Sequence, residues 1–170
     1  PMGFISVPRL WTVFQINVLA KMPQKKLAFL LAIPFLGPLV AKKIRTALGL
    51  QQSQWFMSGS APIAQPLLNW YEKLNIPISE GWGMTETSGV SIIHNPFRPE
   101  KVGTIGKAIA GTEVKISEQG EILVRSDGVI KEYYKDSEKT EETLKGGWVH
   151  TGDKGEMDAQ GYIRITGRVK

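Results

Sequence analysis

The chain has 170 residues, of which 42% are hydrophobic and 22% charged, values that are typical of one globular domain. Its net charge of +5 suits an anionic small molecule or surface, but the basic residues form no stripe interleaved with aromatic residues, so we expect no nucleic-acid partner. The absence of cysteine excludes disulfides, thiolate metal ligands and a cysteine nucleophile, and two histidines are too few for a multi-histidine metal site.

The first 50 residues are predicted to be helical. Pro8 suits the first turn of a helix. This helix presents one apolar face, formed by Leu10, Phe14 and Val18. A second helix is predicted over about residues 25–33, and a third over 39–48, closed by Gly49.

The most apolar run of the chain covers residues 27–40 and is too short to span a bilayer, which needs about 20 apolar residues. Two interpretations remain open. The run forms a buried or hairpin-like pair of helices, or it forms an interfacial or acyl-chain-facing segment. The second interpretation is suggested by the basic residues that flank the run: Lys21, Lys25, Lys26, Lys42, Lys43 and Arg45.

The next part of the chain has the pattern of a parallel α/β layer. A buried strand is predicted at residues 55–57 and ends in the turn SGSAP, after which Pro62 begins a helix. A second strand at residues 76–79 leads directly into the loop GWGMTETS. Ligands gather at the carboxyl ends of such strands, so both loops are candidates for a binding site.

From about Arg98 the pattern changes to short alternating segments separated by glycine, which is typical of hairpins. These segments are TEVKIS, GEILVR, KGEMD and GYIRITG, and residues 158–161 are predicted to form a turn between the last two. One short helix is predicted over residues 136–144. The predicted fold class is therefore α/β, with an α/β layer in residues 1–97 and a small antiparallel β-barrel-like subdomain in residues 98–170.

Three short motifs carry residue types that suit an adenine nucleotide. In the first, Gly81 and Gly83 allow close approach of the backbone to a planar ligand, and Trp82 offers a ring for stacking. Thr85 offers a hydroxyl to a phosphoryl oxygen, and Glu86 offers a hard oxygen of the kind that Mg²⁺ binds.

The other two motifs are TGD at residues 151–153 and GRVK at residues 167–170. Asp153 can accept hydrogen bonds from neighbouring ribose hydroxyls, and Arg168 supplies a rigid, positively charged guanidinium group that donates hydrogen bonds. Structural alternatives remain open: Trp82 in a core, Thr85 at a helix start, Asp153 in a turn and Arg168 as a surface charge.

Five motifs in this order resemble the adenylate-forming superfamily of acyl-CoA synthetases, firefly luciferase and peptide-synthetase adenylation domains: SGSAP, EGWGMTETSG, GEILVRSDGVIKEYYKDSEKT, GGWVHTGD and GYIRITGRVK. SVPRLWTVFQINVLAK followed by GWGMTETS resembles the long-chain fatty acyl-CoA synthetase branch. The resemblance covers nearly the whole chain, and the spacing of the five motifs makes it specific.

The resemblance implies an ATP- and Mg²⁺-dependent ligase that activates a fatty acid as acyl-AMP and then transfers the acyl group to the thiol of CoA. The expected partners are thus fatty acid, ATP and CoA. The family's phosphate-binding loop and the C-terminal domain with its catalytic lysine do not occur in these 170 residues, so we expect a middle piece of a longer protein that has no ligase activity alone.

The resemblance also implies a role for each matching residue. Gly81, Trp82 and Gly83 bracket adenine, with Met84 in the same cofactor-binding set. Thr85 contacts the α-phosphate.

The remaining roles belong to residues spread along the chain. Glu86 holds Mg²⁺, and both Asp153 and Arg168 contact the ribose. The wall between adenine and the acyl group is formed by Gly59, Ser60 and Ala61. Lys170 is the hinge about which the C-terminal domain turns between the two half-reactions.

Two other functions remain open at this point: a non-catalytic nucleotide-binding or assembly module, and an adenylating enzyme whose acceptor is a carrier-protein thiol. We expect a cytoplasmic protein, with peripheral contact at the inner face of a membrane as an open alternative. We also expect the chain to self-associate or to be marginally stable, because a sheet without its neighbours exposes unpaired edges and apolar faces.

Overall fold

The computed structural model describes residues 2–169 and forms two compact units. The first unit ends at Ser79 and the second begins at Glu80. The predicted change of character at residue 98 does not coincide with this division. Residues 81–93 form part of a β-hairpin and cluster with the β-rich part of the chain.

The first unit combines a parallel strand pair with four helices in the part of the chain that the structure describes. Its elements are β1 (Gly3–Ser6), α1 (Pro8–Lys21), α2 (Gln24–Ala32), α3 (Leu36–Ala47), β2 (Trp55–Ser58) and α4 (Gln65–Glu72). Strands β1 and β2 run parallel, with Gly3 opposite Trp55 and Ser6 opposite Ser58. The predicted α/β layer is therefore present, and α1 begins at Pro8 as predicted.

The core of the first unit is built around Trp11 of α1 and Tyr71 of α4, both fully buried. Their rings lie 5.0 Å apart in a perpendicular arrangement. The Tyr71 hydroxyl donates a hydrogen bond to the carbonyl oxygen of Trp11. Burial raises the pKa of the Tyr71 phenol, so its proton stays in place and the bond joins α1 to α4.

Two expectations for the first unit were wrong. Strand β1 lies in a region predicted to be helical, because its pairing partner β2 is about fifty residues away in sequence and supplies the missing hydrogen bonds. The helix predicted to begin at Pro62 begins at Gln65 instead. Pro66, in the first turn of α4, takes the position that suits proline.

The second unit is mostly antiparallel β-structure, and the strand that leads into it is β3 (Ile78–Met84). The other elements are β4 (Gly89–Ile93), β5 (Lys107–Ala108), β6 (Thr112–Ile116), β7 (Glu121–Ser126), α5 (Ser137–Thr143), β8 (Leu144–Lys145), β9 (Trp148–Met157) and β10 (Ile163–Arg168). Strand β4 pairs with β3 and β5. A second, curled sheet has the order β10-β9-β7-β6, with β8 paired to β9.

One apolar core joins the two sheets of the second unit. Its buried members are Trp82, Ile92, Ile105, Ile122, Val124 and Ile163. Each of these residues lies on a strand or in the loop before β5, so alternation along the strands places them on one side. The core thereby fixes β3, which carries the glycine motif (residues 81–84), against β7 and β10.

Several local predictions for the second unit are confirmed. The four predicted strand segments form β6, β7, β9 and β10, and the turn at Asp158 closes with a hydrogen bond from the Gly161 amide to the Asp158 carbonyl. The predicted short helix is α5, whose N-cap Asp136 accepts a hydrogen bond from the Lys139 amide.

The glycine motif was predicted to be a loop, but residues 81–84 belong to β3. Gly83 explains how this is possible. A Cβ atom at this position would lie 1.8 Å from the carbonyl oxygen of Gly89 in the paired strand, so only glycine allows the hairpin to close here. The following residues, Thr85–Thr87, form a single 3₁₀ turn.

The apolar run at residues 27–40 folds into parts of α2 and α3. Leu27 and Gly37 are buried within this helical pair, while the other members of the run are half-buried or exposed, so the run forms a pair of helices and the interfacial interpretation stays open. Within residues 2–169, none of the helices combines the length and the apolar character needed to cross a bilayer.

Candidate functional site

Three residues predicted to share a site are joined by hydrogen bonds in the second unit. The indole Nε1 of Trp82 donates to Oδ2 of Asp153 at 2.9 Å. Arg168 donates from Nη1 to Oδ1 of the same carboxylate at 2.5 Å. The glycine motif, TGD and GRVK thus converge on one carboxylate group.

The pairing of β9 with β10 places Arg168 beside Asp153. These residues are direct partners across the two strands. The register shifts between Ile165 and Gly167, and this bulge adds one residue to β10 before Arg168. The residues at the end of the chain therefore approach TGD through strand pairing rather than through a loop.

Asp153 is only 9% exposed, yet both of its carboxylate oxygens have a donor. A buried carboxylate that is hydrogen-bonded and paired with a guanidinium remains a strong acceptor. Each carboxylate oxygen has two lone pairs, so one bond to each leaves room for a second donor. The Arg168 side chain is exposed, so its side of the ion pair is open to water.

The indole ring of Trp82 lies in the apolar core and is only 8% exposed. The structural alternative for this side chain is therefore the one observed, and the ring faces contact core residues rather than open space. The indole N–H orients the Asp153 carboxylate.

The TGD segment is held by a second carboxylate that the sequence analysis did not identify. Glu121 of β7 accepts a hydrogen bond from the Gly152 amide through Oε1 at 2.8 Å. Its Oε2 lies 2.9 Å from Nδ1 of His150. One Glu121 side chain thus joins the residues on either side of Thr151.

Thr151 completes the support of the segment. Its hydroxyl donates to the Ile122 carbonyl at 2.7 Å and accepts from the Asp153 amide at 3.1 Å. Gly152 has a φ of +72°, a conformation that favours glycine. In the T-G-D sequence, Thr151 therefore anchors the segment through its hydroxyl, Gly152 adopts the left-handed conformation and Asp153 supplies the carboxylate.

Glu86 lies in the 3₁₀ turn that follows β3, and its carboxylate accepts a hydrogen bond from the Tyr133 hydroxyl. Burial and, next, this bond raise the pKa of the Tyr133 phenol. The Glu86 carbonyl accepts a hydrogen bond from the Ile130 amide at 2.9 Å, so residues 130–133 fix both the backbone and the side chain of Glu86. Sequence reasoning missed Tyr133 because it lies 47 residues away.

The other residues predicted for this motif surround the same turn. Thr85, the first residue of the turn, is exposed, and Met84 is half-buried against the apolar core. The Thr87 hydroxyl bonds to the backbone of Met84 and Gly89, which fixes the turn. Thr85 therefore presents its side chain to water, where a phosphoryl group could reach it.

Not every predicted residue falls within this cluster. Gly59, Ser60 and Ala61 belong to the first unit, where they follow β2 as predicted, and Ser60 has a φ of +68°. Lys170, predicted as the hinge, lies outside the described residues. The predicted roles of these four residues, like those of the residues in the cluster, remain proposals.

His94 is buried and serves the structure of the second unit. Its Nε2 accepts a hydrogen bond from the Arg98 amide at 3.0 Å, and its ring stacks on Phe97 at 5.4 Å. Burial lowers the pKa of the imidazole, so it is neutral at pH 7.

A magnesium ion would have one protein carboxylate at this site. Among residues 2–169 no group of three or more acidic, histidine or cysteine side chains could enclose a metal. Mg²⁺ keeps several waters and is commonly held by one or two carboxylates together with substrate phosphates. Glu86 is half-buried and accepts the Tyr133 hydroxyl through Oε1, so it fits that mode rather than a cage of protein ligands.

The chain is similar to several fatty-acid ligases. It is 41% identical over 140 residues to the long-chain-fatty-acid–CoA ligase ACSBG2 of Xenopus laevis, covering 78% of this chain and 18% of that protein. It is 39% identical over 132 residues to the long-chain-fatty-acid–CoA ligase FadD15 of Mycobacterium bovis, covering 78% of this chain and 22% of that protein. The chain thus spans about a fifth of the length of the curated relatives it matches.

The fold is similar to that of solved ligase structures. The anthranilate CoA ligase AuaEII, in complex with anthranoyl-AMP, superposes with a TM-score of 0.68 at 26% identity. The alignment covers 99% of this chain and 30% of that one.

A family model described as "AMP-binding enzyme" matches residues 1–134. This match includes β3, the Thr85–Thr87 turn and Tyr133, although Asp153 and Arg168 lie beyond it. Together with the similarity to fatty-acid ligases, it shows that the chain belongs to the family of AMP-binding enzymes.

Proposed function

We propose that the chain is a segment of an ATP-dependent long-chain fatty acid:CoA ligase and that its second unit contributes the adenosine side of the active site. The observation that carries the proposal is the Asp153 carboxylate, held between Trp82 and Arg168. The names of the similar proteins support the substrate class, because they are fatty-acid ligases.

The proposed reaction has two steps. A carboxylate oxygen of the fatty acid attacks the α-phosphorus of ATP, and the bond to pyrophosphate breaks. The thiolate of CoA then attacks the acyl carbonyl carbon, and the bond to AMP breaks. The first step depends on positioning and on stabilisation of negative charge rather than on a protein nucleophile.

Asp153 and Arg168 would bind the ribose. The lone pairs of Asp153 not used by Trp82 and Arg168 accept from the two ribose hydroxyls. Arg168 is exposed and its guanidinium carries several N–H donors, so it can also donate to ribose oxygens. Such bonds are made only if the carboxylate keeps its orientation, which the Trp82 N–H fixes.

The turn after β3 would bind the phosphate end of the nucleotide. Thr85 is exposed and donates its hydroxyl proton to an α-phosphoryl oxygen. Glu86 would hold Mg²⁺ through a carboxylate whose direction Tyr133 fixes. When bound, Mg²⁺ supplies positive charge that neutralises the phosphate oxygens.

The thiol acceptor depends on parts of the ligase that these residues do not include, so a carrier-protein thiol remains an alternative acceptor. The two acceptors share the adenylation step. Gly59, Ser60 and Ala61 are proposed to line the acyl side of the site, and Lys170 is proposed as the hinge.

The test is pyrophosphate release by the complete ligase supplied with ATP, Mg²⁺ and a fatty acid. Thr85→Ala and Glu86→Ala should each lower the adenylation rate by at least ~100-fold, the scale of losing one oriented stabilising group. Ser88→Ala, one residue beyond the turn, is the matched control and should stay near the parent rate, because its hydroxyl bonds to the Gly128 carbonyl instead. Equal rates in all four proteins would remove the roles assigned to Thr85 and Glu86.

A further inference from the structure

The positive charge of the chain is concentrated in the first unit. Through Ser79 the sequence contains eight lysines and arginines and one acidic residue, Glu72, whereas from Glu80 onward it contains thirteen basic and fifteen acidic residues. The net charge of +5 therefore comes entirely from the first unit. A sign asymmetry of this kind points to an anionic surface as partner.

The same unit exposes a group of large apolar side chains where α2 meets α3. We call this group the α2–α3 tip: Phe29, Phe35, Leu36 and Leu39. Phe29 is 68% exposed, Leu39 63% and Phe35 90%. Exposed apolar residues scattered singly are ordinary, but four within eleven positions of one helical hairpin form a patch.

Phe35 has an unusual backbone conformation as well as an exposed ring. Its φ is +66°, in the left-handed region that phenylalanine rarely adopts. Neither burial of the ring nor local backbone preference explains this arrangement. Such a residue persists where the surrounding structure holds it, and it is a reason to look for a function.

The helical hairpin beneath the tip is rigidly built. The Gly37 amide donates to the Ile33 carbonyl at 2.9 Å, and a Cβ at Gly37 would lie 2.4 Å from the Leu31 carbonyl oxygen. Leu27 of α2 and Ala41 of α3 are buried beneath it. The tip is therefore carried by a closely packed, hydrogen-bonded turn rather than by a frayed helix end.

Exposed lysines frame the tip on both helices. Lys25 and Lys26 lie one helical turn before Phe29, and Lys42 and Lys43 lie one turn after Leu39. Residues three or four positions apart on a helix share a face, so each pair of lysines stands beside the apolar group. We call these four lysines the basic frame.

A cleft of about 600 Å³ adjoins the frame. Its lining includes Gly37 from the start of α3 together with three cationic residues, Lys42, Arg45 and Lys73, and one acidic residue, Glu72. A concave surface with an excess of positive charge suits the phosphate group of a lipid. The cleft thus brings an anion-attracting surface close to the apolar tip.

We propose that the α2–α3 tip and the basic frame bind an anionic phospholipid bilayer, with the tip among the acyl chains and the lysines at the headgroups. A bilayer surface offers an apolar layer and negative charge within the 5–10 Å or so that interfacial elements reach. A second copy of the chain is a poorer occupant, because it would bring two strongly cationic surfaces together. The proposal is independent of the adenylation chemistry.

The first experiment is flotation of the chain with phosphatidylcholine vesicles containing roughly 30 mol% phosphatidylglycerol, compared with vesicles of phosphatidylcholine alone. The chain should float with the anionic vesicles, and raising the salt concentration should release it. The double variant Lys42→Gln/Lys43→Gln should lower the partition coefficient about 25-fold, fivefold for each charge. The control Lys131→Gln/Lys145→Gln removes the same charge from exposed positions of the second unit and should leave it within about twofold.

The apolar contribution is tested separately. Phe35→Ser should lower partitioning about tenfold, because a side chain that is already exposed in water loses only its contact with the bilayer. Tyr134→Ser removes an exposed aromatic ring from the second unit and should change nothing. Circular dichroism spectra that match the parent chain show that these surface variants are folded.

Four results would overturn the proposal. They are no flotation, equal flotation with neutral vesicles, equal loss in the control variants, and loss of self-association rather than of vesicle binding in Phe35→Ser. The same variants are then placed in the complete ligase, where unchanged vesicle binding would show that another segment covers the tip. Pyrophosphate release without vesicles should be normal in every variant, so failure of this proposal is distinguishable from failure of the proposed function.

Discussion

Glu121 accepts a hydrogen bond from the backbone amide of Gly152 at 2.8 Å, one residue before the carboxylate at Asp153. Its second oxygen lies 2.9 Å from the His150 ring. Glu121 belongs to β7 and the other two residues to β9, so the side chain reinforces the pairing of these strands where the register shifts. We regard Glu121 as a positioning residue for Asp153.

Replacing Glu121 should separate positioning from stability. Glu121→Ala leaves the Gly152 amide without its acceptor, at a cost of about 1–3 kcal/mol, and should weaken AMP binding about tenfold as Asp153 loses its fixed orientation. Glu121→Gln keeps a carbonyl oxygen at Gly152 and should restore affinity. Calorimetric titration with AMP, alongside thermal unfolding, checks this. If both variants lose the same stability and neither changes affinity, Glu121 has a purely structural role.

Tyr133 should control how well Glu86 binds magnesium. Tyr133→Phe removes the hydroxyl that fixes the Glu86 carboxylate, and removal of such supporting bonds weakens metal binding by about 10- to 100-fold. The measurement is the Mg²⁺ concentration for half-maximal pyrophosphate release by the complete ligase. Tyr134→Phe changes the exposed neighbouring ring and is the matched control; a Mg²⁺ requirement shared by both variants contradicts the assignment.

The phenol of Tyr133 gives an independent readout in the isolated chain. Its pKa is raised first by burial and then by the bond to Glu86. Glu86→Gln removes the negative acceptor and should lower the pKa of Tyr133 part of the way back, with the burial effect remaining. Ultraviolet absorbance titration, with the Tyr133→Phe spectrum subtracted, follows this group alone.

His94 should make the folded chain sensitive to mild acid. Burial holds its pKa below the value of about 6.5 that it has in an unfolded chain. At a pH between the folded and unfolded pKa of His94, the unfolded chain binds a proton that the folded chain does not. The contribution of His94 to the free energy of unfolding is therefore fully present above pH ~6.5 and decreases as the pH drops. Protonation also removes the acceptor used by the Arg98 amide.

The variant His94→Asn isolates this contribution. It should be less stable than the parent chain at pH 8, because stacking on Phe97 is lost, but its melting temperature should change less between pH 7 and pH 5. Circular dichroism melts at several pH values test this. Identical pH dependence in the two proteins would show that carboxyl groups, not His94, cause the acid sensitivity.

Gly83 should be irreplaceable in β3. Gly83→Ala places a Cβ against the Gly89 carbonyl of the paired strand, and neither backbone can yield without breaking the hairpin. We expect a loss of about 3 kcal/mol or more in unfolding free energy. Gly167→Ala, in strand β10 with no atom near the added Cβ, is the control and should be nearly neutral. Equal stability of the two variants in urea melts would mean that the β3–β4 hairpin is not packed as described.

Local signals predicted much of the fold. Pro8 marked the start of α1, Asp136 capped α5 and Asp158 closed its turn, because each acts through bonds to residues within a few positions. Strand β1 was missed since its pairing partner is far away in sequence. The same reason explains why the sequence did not reveal Glu121, which lies 31 residues from Gly152.

The contact between the three motifs was predictable from the sequence, and its details were less so. The convergence of Trp82, Asp153 and Arg168 agrees with the order of the motifs along the chain. The burial of the Trp82 ring could not be inferred, because the residues that cover it come from strands as distant as Ile163. The alternation of apolar residues identified the strands but did not show which strand faces would pack against each other.

The most direct test of the account is calorimetric titration of the chain with AMP, comparing the parent with Asp153→Asn. The substitution keeps the shape of the side chain but removes the charge that strengthens its bonds to ribose hydroxyls, so we predict that AMP binds the parent chain and that the variant binds it at least ~10-fold more weakly. Asp127→Asn, an exposed carboxylate of the second unit, should bind like the parent. If the Asp153 variant binds AMP as well as the parent does, or the parent binds none, then the carboxylate between Trp82 and Arg168 is not an adenosine site.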